Sequence, residues 1–203
     1  MNIWFTSDHH FGHANIIKYC NRPFSYVHEM HLAMEAAWNR VVEQDDLVYY
    51  LGDFAMNAAL VPKIAPLLHG RKILIPGNHD KCWKKKDTSG RWHRHYLDAG
   101  FEAIEQEMWM DIAGESVLLN HLPYRNEADP DQRFFEERPV DKGGWLIHGH
   151  VHQRWKVTGR QINVSVEVWN FEPVSVDTIA DIIRQGPVVS APAGQPGAGD
   201  DGY

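Results

Sequence analysis

Asp8 and His10 stand two residues apart at the end of a short apolar run, Ile3-Trp4-Phe5. Four later runs end in the same way. Leu47 to Leu51 meets Gly52-Asp53, and Ile73-Leu74-Ile75 meets Gly77-Asn78-His79-Asp80. Val117-Leu118-Leu119 meets Asn120-His121, and Trp145-Leu146-Ile147 meets His148-Gly149-His150-Val151-His152. Carboxylate, imidazole and amide oxygen are the donors that one or two divalent cations take. In an extended strand, residues i and i+2 share a face. Asp8 with His10, and His150 with His152, are therefore each expected to reach one ion. Together the residues divide into two ligand sets. One ion would take Asp8, His10, Asp53 and His152. A second would take Asp53, Asn78, His121 and His150, with the two oxygens of Asp53 available to bridge. Two cations about 3.5–4 Å apart clamp the attacking and leaving oxygens of an in-line displacement at phosphorus. A water held between them loses a proton near neutral pH and becomes a nucleophile.

The elements that must position these residues follow from the apolar pattern. Short runs rich in β-branched and aromatic residues read as buried strands. In open α/β sheets, ligands gather beyond the carboxyl ends of the strands. Five such strands in one sheet would bring all the ligands to one edge. Met30, Met34, Ala37, Trp38 and Val41 repeat at helical spacing within Tyr26 to Val42. Ala58 to Leu68 reads as a second helix, shortened or kinked by Pro62 and Pro66. Lys81 to Ala99 reads as loop and helix, Phe101 to Ile112 as strands, and Arg125 to Lys142 as a loop. Ile162 to Val168 alternates with period two and is expected to be a strand, followed by a helix over Asp177 to Arg184. From Gly186 the chain is rich in Gly, Pro and Ala, so residues 186–203 are expected to be a disordered tail behind a single domain of residues 1–185. The alternation of helix and strand in the first half favours α/β. The strand-rich second half suggests a mixed sheet or two stacked sheets.

Composition narrows the classes. With 203 residues the chain suits one well-buried domain. A formal net charge of −7 gives no global basic field toward nucleic acid or membrane. Cys20 and Cys82 are too few for a disulfide framework and read as structural thiols. No secretion signal or membrane-spanning stretch is evident, so a cytoplasmic setting without membrane contact is expected.

Carried by these blocks, the chain resembles the calcineurin-like metallophosphoesterases. Their pattern is D-x-H, then G-D, then G-N-H-[DE], then a lone H, then G-H-x-H. It appears here in order at residues 8–10, 52–53, 77–80, 121 and 149–152. The stretch Thr6 to Ile17 and Arg22-Pro23-Phe24 are similar to the small stand-alone members. The resemblance implies a four-layer α/β/β/α sandwich with two mixed sheets and a bimetal centre bridged by Asp53. It also implies that His79 protonates the leaving oxygen. Mn²⁺ is the ion the resemblance favours, and Zn²⁺ or Fe suit the same donors. Phosphoprotein phosphatases of this superfamily carry a second Asp and an Arg soon after G-D. Phe54-Ala55-Met56-Asn57 stands there instead. The residue that usually orients the catalytic His is therefore missing, with Asp80 or another carboxylate as its replacement.

The resulting expectation is a metal-dependent hydrolase of phosphodiesters, small or cyclic nucleotides among them. A phosphomonoesterase on nucleotides or other small molecules is the alternative. A non-catalytic scaffold on the same fold is a third reading, disfavoured because no ligand is eroded. His13 and Arg22 are candidate substrate contacts, Arg22 as a fork onto phosphate. The basic, aromatic run from Lys81 to Arg94 would line the mouth and hold a nucleotide or single-stranded nucleic acid by charge and stacking, or form a solvated face.

Overall fold

The computed structural model describes residues 1–188. Strands β1 (Ile3–Thr6), β2 (Leu47–Tyr50), β3 (Arg71–Leu74) and β4 (Phe101–Ile104) run parallel in one sheet. Its far edge is closed by β10 (Val174–Ser175), antiparallel to β1. A second mixed sheet has the order β5-β6-β7-β9-β8. Its strands are β5 (Met108–Ile112), β6 (Glu115–Leu119), β7 (Trp145–His148), β8 (Val157–Thr158) and β9 (Gln161–Asn163). The five motif-bearing strands therefore do not share one sheet. β1, β2 and β3 lie in the first, β6 and β7 in the second, and the ligand loops meet where the two sheets face each other.

Alternation along the strands builds the layers. Tyr49 and Leu51 point inward and pack with Phe5 and Ile75 against Val117, Leu119, Trp145, Ile147 and Ile162 of the second sheet. Val48, Tyr50 and Leu74 point the other way. They pack against Met30, Met34 and Trp38, the buried face of α2 (Val27–Val41), which has the predicted helical spacing. On this outer face lie also α1 (Ala14–Tyr19), α3 (Val61–Ile64) and α4 (Arg91–Asp98). The Pro-interrupted segment is broken as expected, into α3 between two 3₁₀ turns. On the outer face of the second sheet, Leu118 and Leu146 pack under Tyr124. Helix α5 (Val176–Gln185) buries Ile179, Ala180 and Ile183 in the core between the sheets.

The expected strand over 162–168 is shorter than its alternation suggests. β9 stops at Asn163, whose side-chain oxygen accepts from Ser165 N (2.9 Å) and Ser165 Oγ (2.7 Å). This local turn competes with the ladder. The chain crosses to pair Ser165 with Ser7 and enters a 3₁₀ turn over Val166–Trp169. That crossing carries Glu167 to the site. After α5, Val188 exchanges backbone hydrogen bonds with Gly159. The rest of the expected tail, residues 189–203, lies outside the described residues. Among the described residues, no helix is long and apolar enough to cross a membrane.

Candidate metal centre

The candidate ligands do not sit in the strands but in the first turns beyond them, and the backbone there is unusual. Asp8, His10, Asp53, His150 and His152 all have positive φ, between 50° and 72°. Non-glycine residues seldom adopt this left-handed region, and such strain gathers at functional sites. The x-spaced pairs thus converge through left-handed turns, not through the strand periodicity expected from sequence. Loop 8–11 is laced to loop 52–54 by Asp8 N to Gly52 O (2.9 Å), His10 N to Asp53 O (3.0 Å) and Phe11 N to Phe54 O (2.9 Å). Glycine permits the close approach. A methyl group on Gly149 would land on the Asp8 carboxylate, and one on Gly52 would strike the backbone of Gly77.

Two groups of donors result. Ligand atoms of Asp8, His10 and His152 lie within 4.8 Å of one another, as do those of Asp53, His121 and His150. Asp53 Oδ2 links them, 3.5 Å from His10 Nε2 and 3.4 Å from His121 Nε2. Asp53 Oδ1 is occupied by the amide of His79 at 2.8 Å. One oxygen, rather than both, therefore faces the two groups. The Asn78 side-chain oxygen stands 3.2 Å from His121 Nε2, in the second group.

Three of the candidate ligands, Asp8, His121 and His152, are oriented from behind. Asp8 Oδ2 accepts from Ser7 Oγ (2.5 Å) and His150 N (3.0 Å), shares the single Ser165 Oγ proton with Asn163 (2.7 Å), and leaves Oδ1, which the His150 amide also reaches at 3.2 Å, toward His10. His121 Nδ1 donates to Leu51 O at 2.7 Å, and His152 Nδ1 to Glu167 at 2.9 Å. In both rings Nε2 is left facing the two groups, the nitrogen that would offer its lone pair to a bound cation in place of a proton. His10 Nδ1 and Nε2 and His150 Nε2 are buried with no hydrogen-bond partner. Buried polar atoms are rarely left so, and a cation between the groups would satisfy those aimed at it. Electrostatics agree. Burial alone would raise the Asp53 carboxyl, but His121 and His79 hold it well below the usual carboxylate range. Against its own burial, His121 is pushed up to about 9 by Asp53. Burial instead keeps His10 and His150 neutral, as metal-binding imidazoles must be, and the imidazole, carboxylate and amide donors fit two divalent ions.

His79 lies at the rim, its side chain 21% exposed, with Nε2 4.0 Å from Asp53 Oδ2 and its ring 5.1 Å from that of His10. Asp80 does not orient it. The Asp80 carboxylate accepts from the amides of Asp53 (2.8 Å), Phe54 (3.1 Å) and Gly77 (2.9 Å) and from Tyr96 OH (3.2 Å). It ties the second and third ligand loops together, and burial and the neighbouring Asp53 push its pKa up to about 6.

Arg22 departs from its expected role as a fork onto phosphate. Its guanidinium is fully buried and gives its donors to Asp8 O (2.7 Å), His9 O (2.8 Å) and Glu167 (2.6 and 3.1 Å). It braces the first loop, with these donors given to protein acceptors. His13 is beside the first group, its ring 5.7 Å from that of His10. His9 and His148 are core residues that burial keeps neutral, His9 bonded to Tyr50 OH and His148 to Gly149 O. The basic run divides. Cys82 and Trp83 are buried, Lys85 pairs with Glu137, and Trp92 packs on the outer core from α4. Glu167 was not legible as functional. It occupies a polar position, after Asn163 and Ser165, of the period-two alternation, so nothing in the sequence set it apart.

Relatives are consistent with this geometry. Residues 1–177 match the calcineurin-like phosphoesterase superfamily domain. An uncharacterized protein of Methanocaldococcus jannaschii is 38% identical over 197 residues, covering 92% of this chain and 94% of its own. The gene 66 protein of Mycobacterium phage D29 is 33% identical over 196 residues, covering 90% of this chain and 96% of its own. A solved protein of unknown function from Aquifex aeolicus matches with a TM-score of 0.63 at 28% identity, covering 89% of this chain and 98% of that one. The matched span holds all five ligand loops, and the chain belongs to the calcineurin-like phosphoesterase superfamily.

Proposed function

We propose that the chain is a cytoplasmic two-cation phosphodiesterase acting on small nucleotide diesters, cyclic nucleotides among them. The observation that carries the reading is the Asp53 oxygen standing between two buried ligand groups, at 3.5 and 3.4 Å from an imidazole of each. Asp8, His10 and His152 would hold one ion, and Asn78, His121 and His150 the other, with Asp53 shared. The absence of thiolate from both groups suits Mn²⁺, with Zn²⁺ or Fe as the other fits. Bound ions supply Lewis acidity toward phosphoryl oxygens and lower the pKa of water. The chain's own chemistry is then positioning and proton transfer. His79, partly exposed at the rim, would give its proton to the departing oxygen.

Charge favours a diester over a monoester. A monoester carries about 1.5–2 negative charges at neutral pH, and a diester carries one. Arg22, the buried guanidinium behind the first group, is turned away onto Glu167 and two backbone carbonyls, and Arg154, two residues after His152, is held by Asp129. A monoanion thus suits the charge on offer. A panel of cyclic nucleotides, nucleoside diesters, monoesters and single-stranded nucleic acid, assayed with added Mn²⁺, tests this. Faster turnover of the diesters supports it. Faster turnover of monoesters would replace it with the phosphomonoesterase reading, and no turnover with both ions bound would leave a binding scaffold.

A further inference from the structure

Phe134 is an aromatic residue in a polar loop, and its backbone has φ +56°, a region that bulky residues rarely enter. The loop is firmly built. Asp129 takes Arg138 (3.0 Å) and Arg154 (2.8 Å), and Arg138 also donates to Asp131 O (2.8 Å). The Phe134 carbonyl accepts from Glu137 N (3.0 Å) and Arg138 N (3.1 Å), opening a 3₁₀ turn. Across the seam, Lys85 pairs with Glu137, joining this loop to the stretch that follows His79. The held conformation sets the Phe134 ring 6.0 Å from the ring of His150 and 5.4 Å, edge to face, from that of buried Trp83. The ring itself is half-buried.

We propose that Phe134 is the stacking platform for the base of the nucleoside esterified to the scissile phosphate. The proposal rests on the diesterase reading and names the group that the site would recognise beside the phosphate. A half-buried ring this close to a ligand imidazole lies within one nucleotide's span of a phosphate held there. Every base has a π-face, so such a platform selects nucleosides over alkyl groups without choosing among bases. Trp83 behind the ring and the Lys85–Glu137 pair beside it hold the platform still.

Two diesters with the same leaving group separate the possibilities: thymidine 5′-(p-nitrophenyl phosphate) and methyl p-nitrophenyl phosphate. Phe134→Ala is expected to raise KM for the thymidine ester roughly tenfold or more, the usual effect of losing one stacked base. kcat for that ester and both constants for the methyl ester should stay within about twofold, because the stack is lost equally from ground state and transition state. Phe134→Leu keeps apolar bulk without a π-face and should behave like the alanine variant. Phe134→Trp should restore the thymidine KM. An unchanged thymidine KM in both Ala and Leu variants overturns the platform while leaving diester hydrolysis intact. Equal losses on both esters, unrescued by Trp, would reduce Phe134 to packing. A wild-type protein that turns over neither ester would overturn the diesterase reading itself.

Discussion

Replacing Glu167 by alanine is expected to damage both stability and metal retention, although the residue is not itself assigned as a ligand. Its carboxylate is 5% exposed and accepts from Arg22 at 2.6 and 3.1 Å and from His152 Nδ1 at 2.9 Å. Against burial, Arg22 and His152 hold its pKa far below the usual carboxylate range. Removing it leaves the buried guanidinium of Arg22 without its counter-charge. Breaking one side of a buried pair costs about 3–5 kcal/mol. In a domain of this size that is a fall in Tm of about 6 to 20 °C. His152 also loses the acceptor that fixes its tautomer, a change that typically costs about 10- to 100-fold in metal affinity or activity. Chemical denaturation and metal analysis of the purified variant read the two effects separately. A double replacement, Arg22→Met with Glu167→Leu, should recover much of the stability, because an apolar pair can substitute for a buried ion pair. It should not recover metal affinity, since the His152 ring and the Asp8 and His9 carbonyls stay unheld. A Glu167→Ala protein less than about 1 kcal/mol destabilised, with wild-type metal content, would refute this reasoning.

His79→Gln should lose about 10²–10⁴-fold on a nucleotide diester, whose ribose oxygen needs a proton to leave, yet keep most activity on a bis-nitrophenyl diester. Equal losses on both substrates, with metal intact, would mean that His79 stabilises charge instead of donating a proton. Asp53→Asn should abolish turnover and lower metal content, because the oxygen shared by the two groups loses its charge. A normal rate with normal metal content would remove Asp53 from the centre. Gly149→Ala should lose metal and stability together, since its methyl group would meet the Asp8 carboxylate and the Ser7 side chain. A variant that folds and binds ions normally would show that this approach is less tight than the structure has it.

What could be read from sequence was which candidate ligands would be brought together and their order, because each follows a short apolar strand that cannot extend past a polar turn. The helix spacing of Met30, Met34 and Trp38 was equally plain. What stayed hidden was set by contacts distant in sequence. The direction of Arg22 depends on Glu167, 145 residues away. Glu167 itself sat in an alternation that imitates a strand until Asn163 and Ser165 turn the chain. Asp80 was a candidate to orient His79 because it is adjacent, but backbone amides of three other loop residues reach it first. The left-handed turns at Asp8, His10, His150 and His152 carry no glycine to mark them, and although Asp and His enter this region more often than most residues, they do so too seldom to place a turn from sequence.

The most direct test is a Mn²⁺ titration of chelator-stripped protein, followed at once as ions bound per chain and as hydrolysis of a nucleoside diester. Two ions per chain are expected, with turnover absent from the stripped protein and appearing as the sites fill. Binding of one ion or none, or turnover that survives removal of metal, would contradict a two-cation centre built around Asp53.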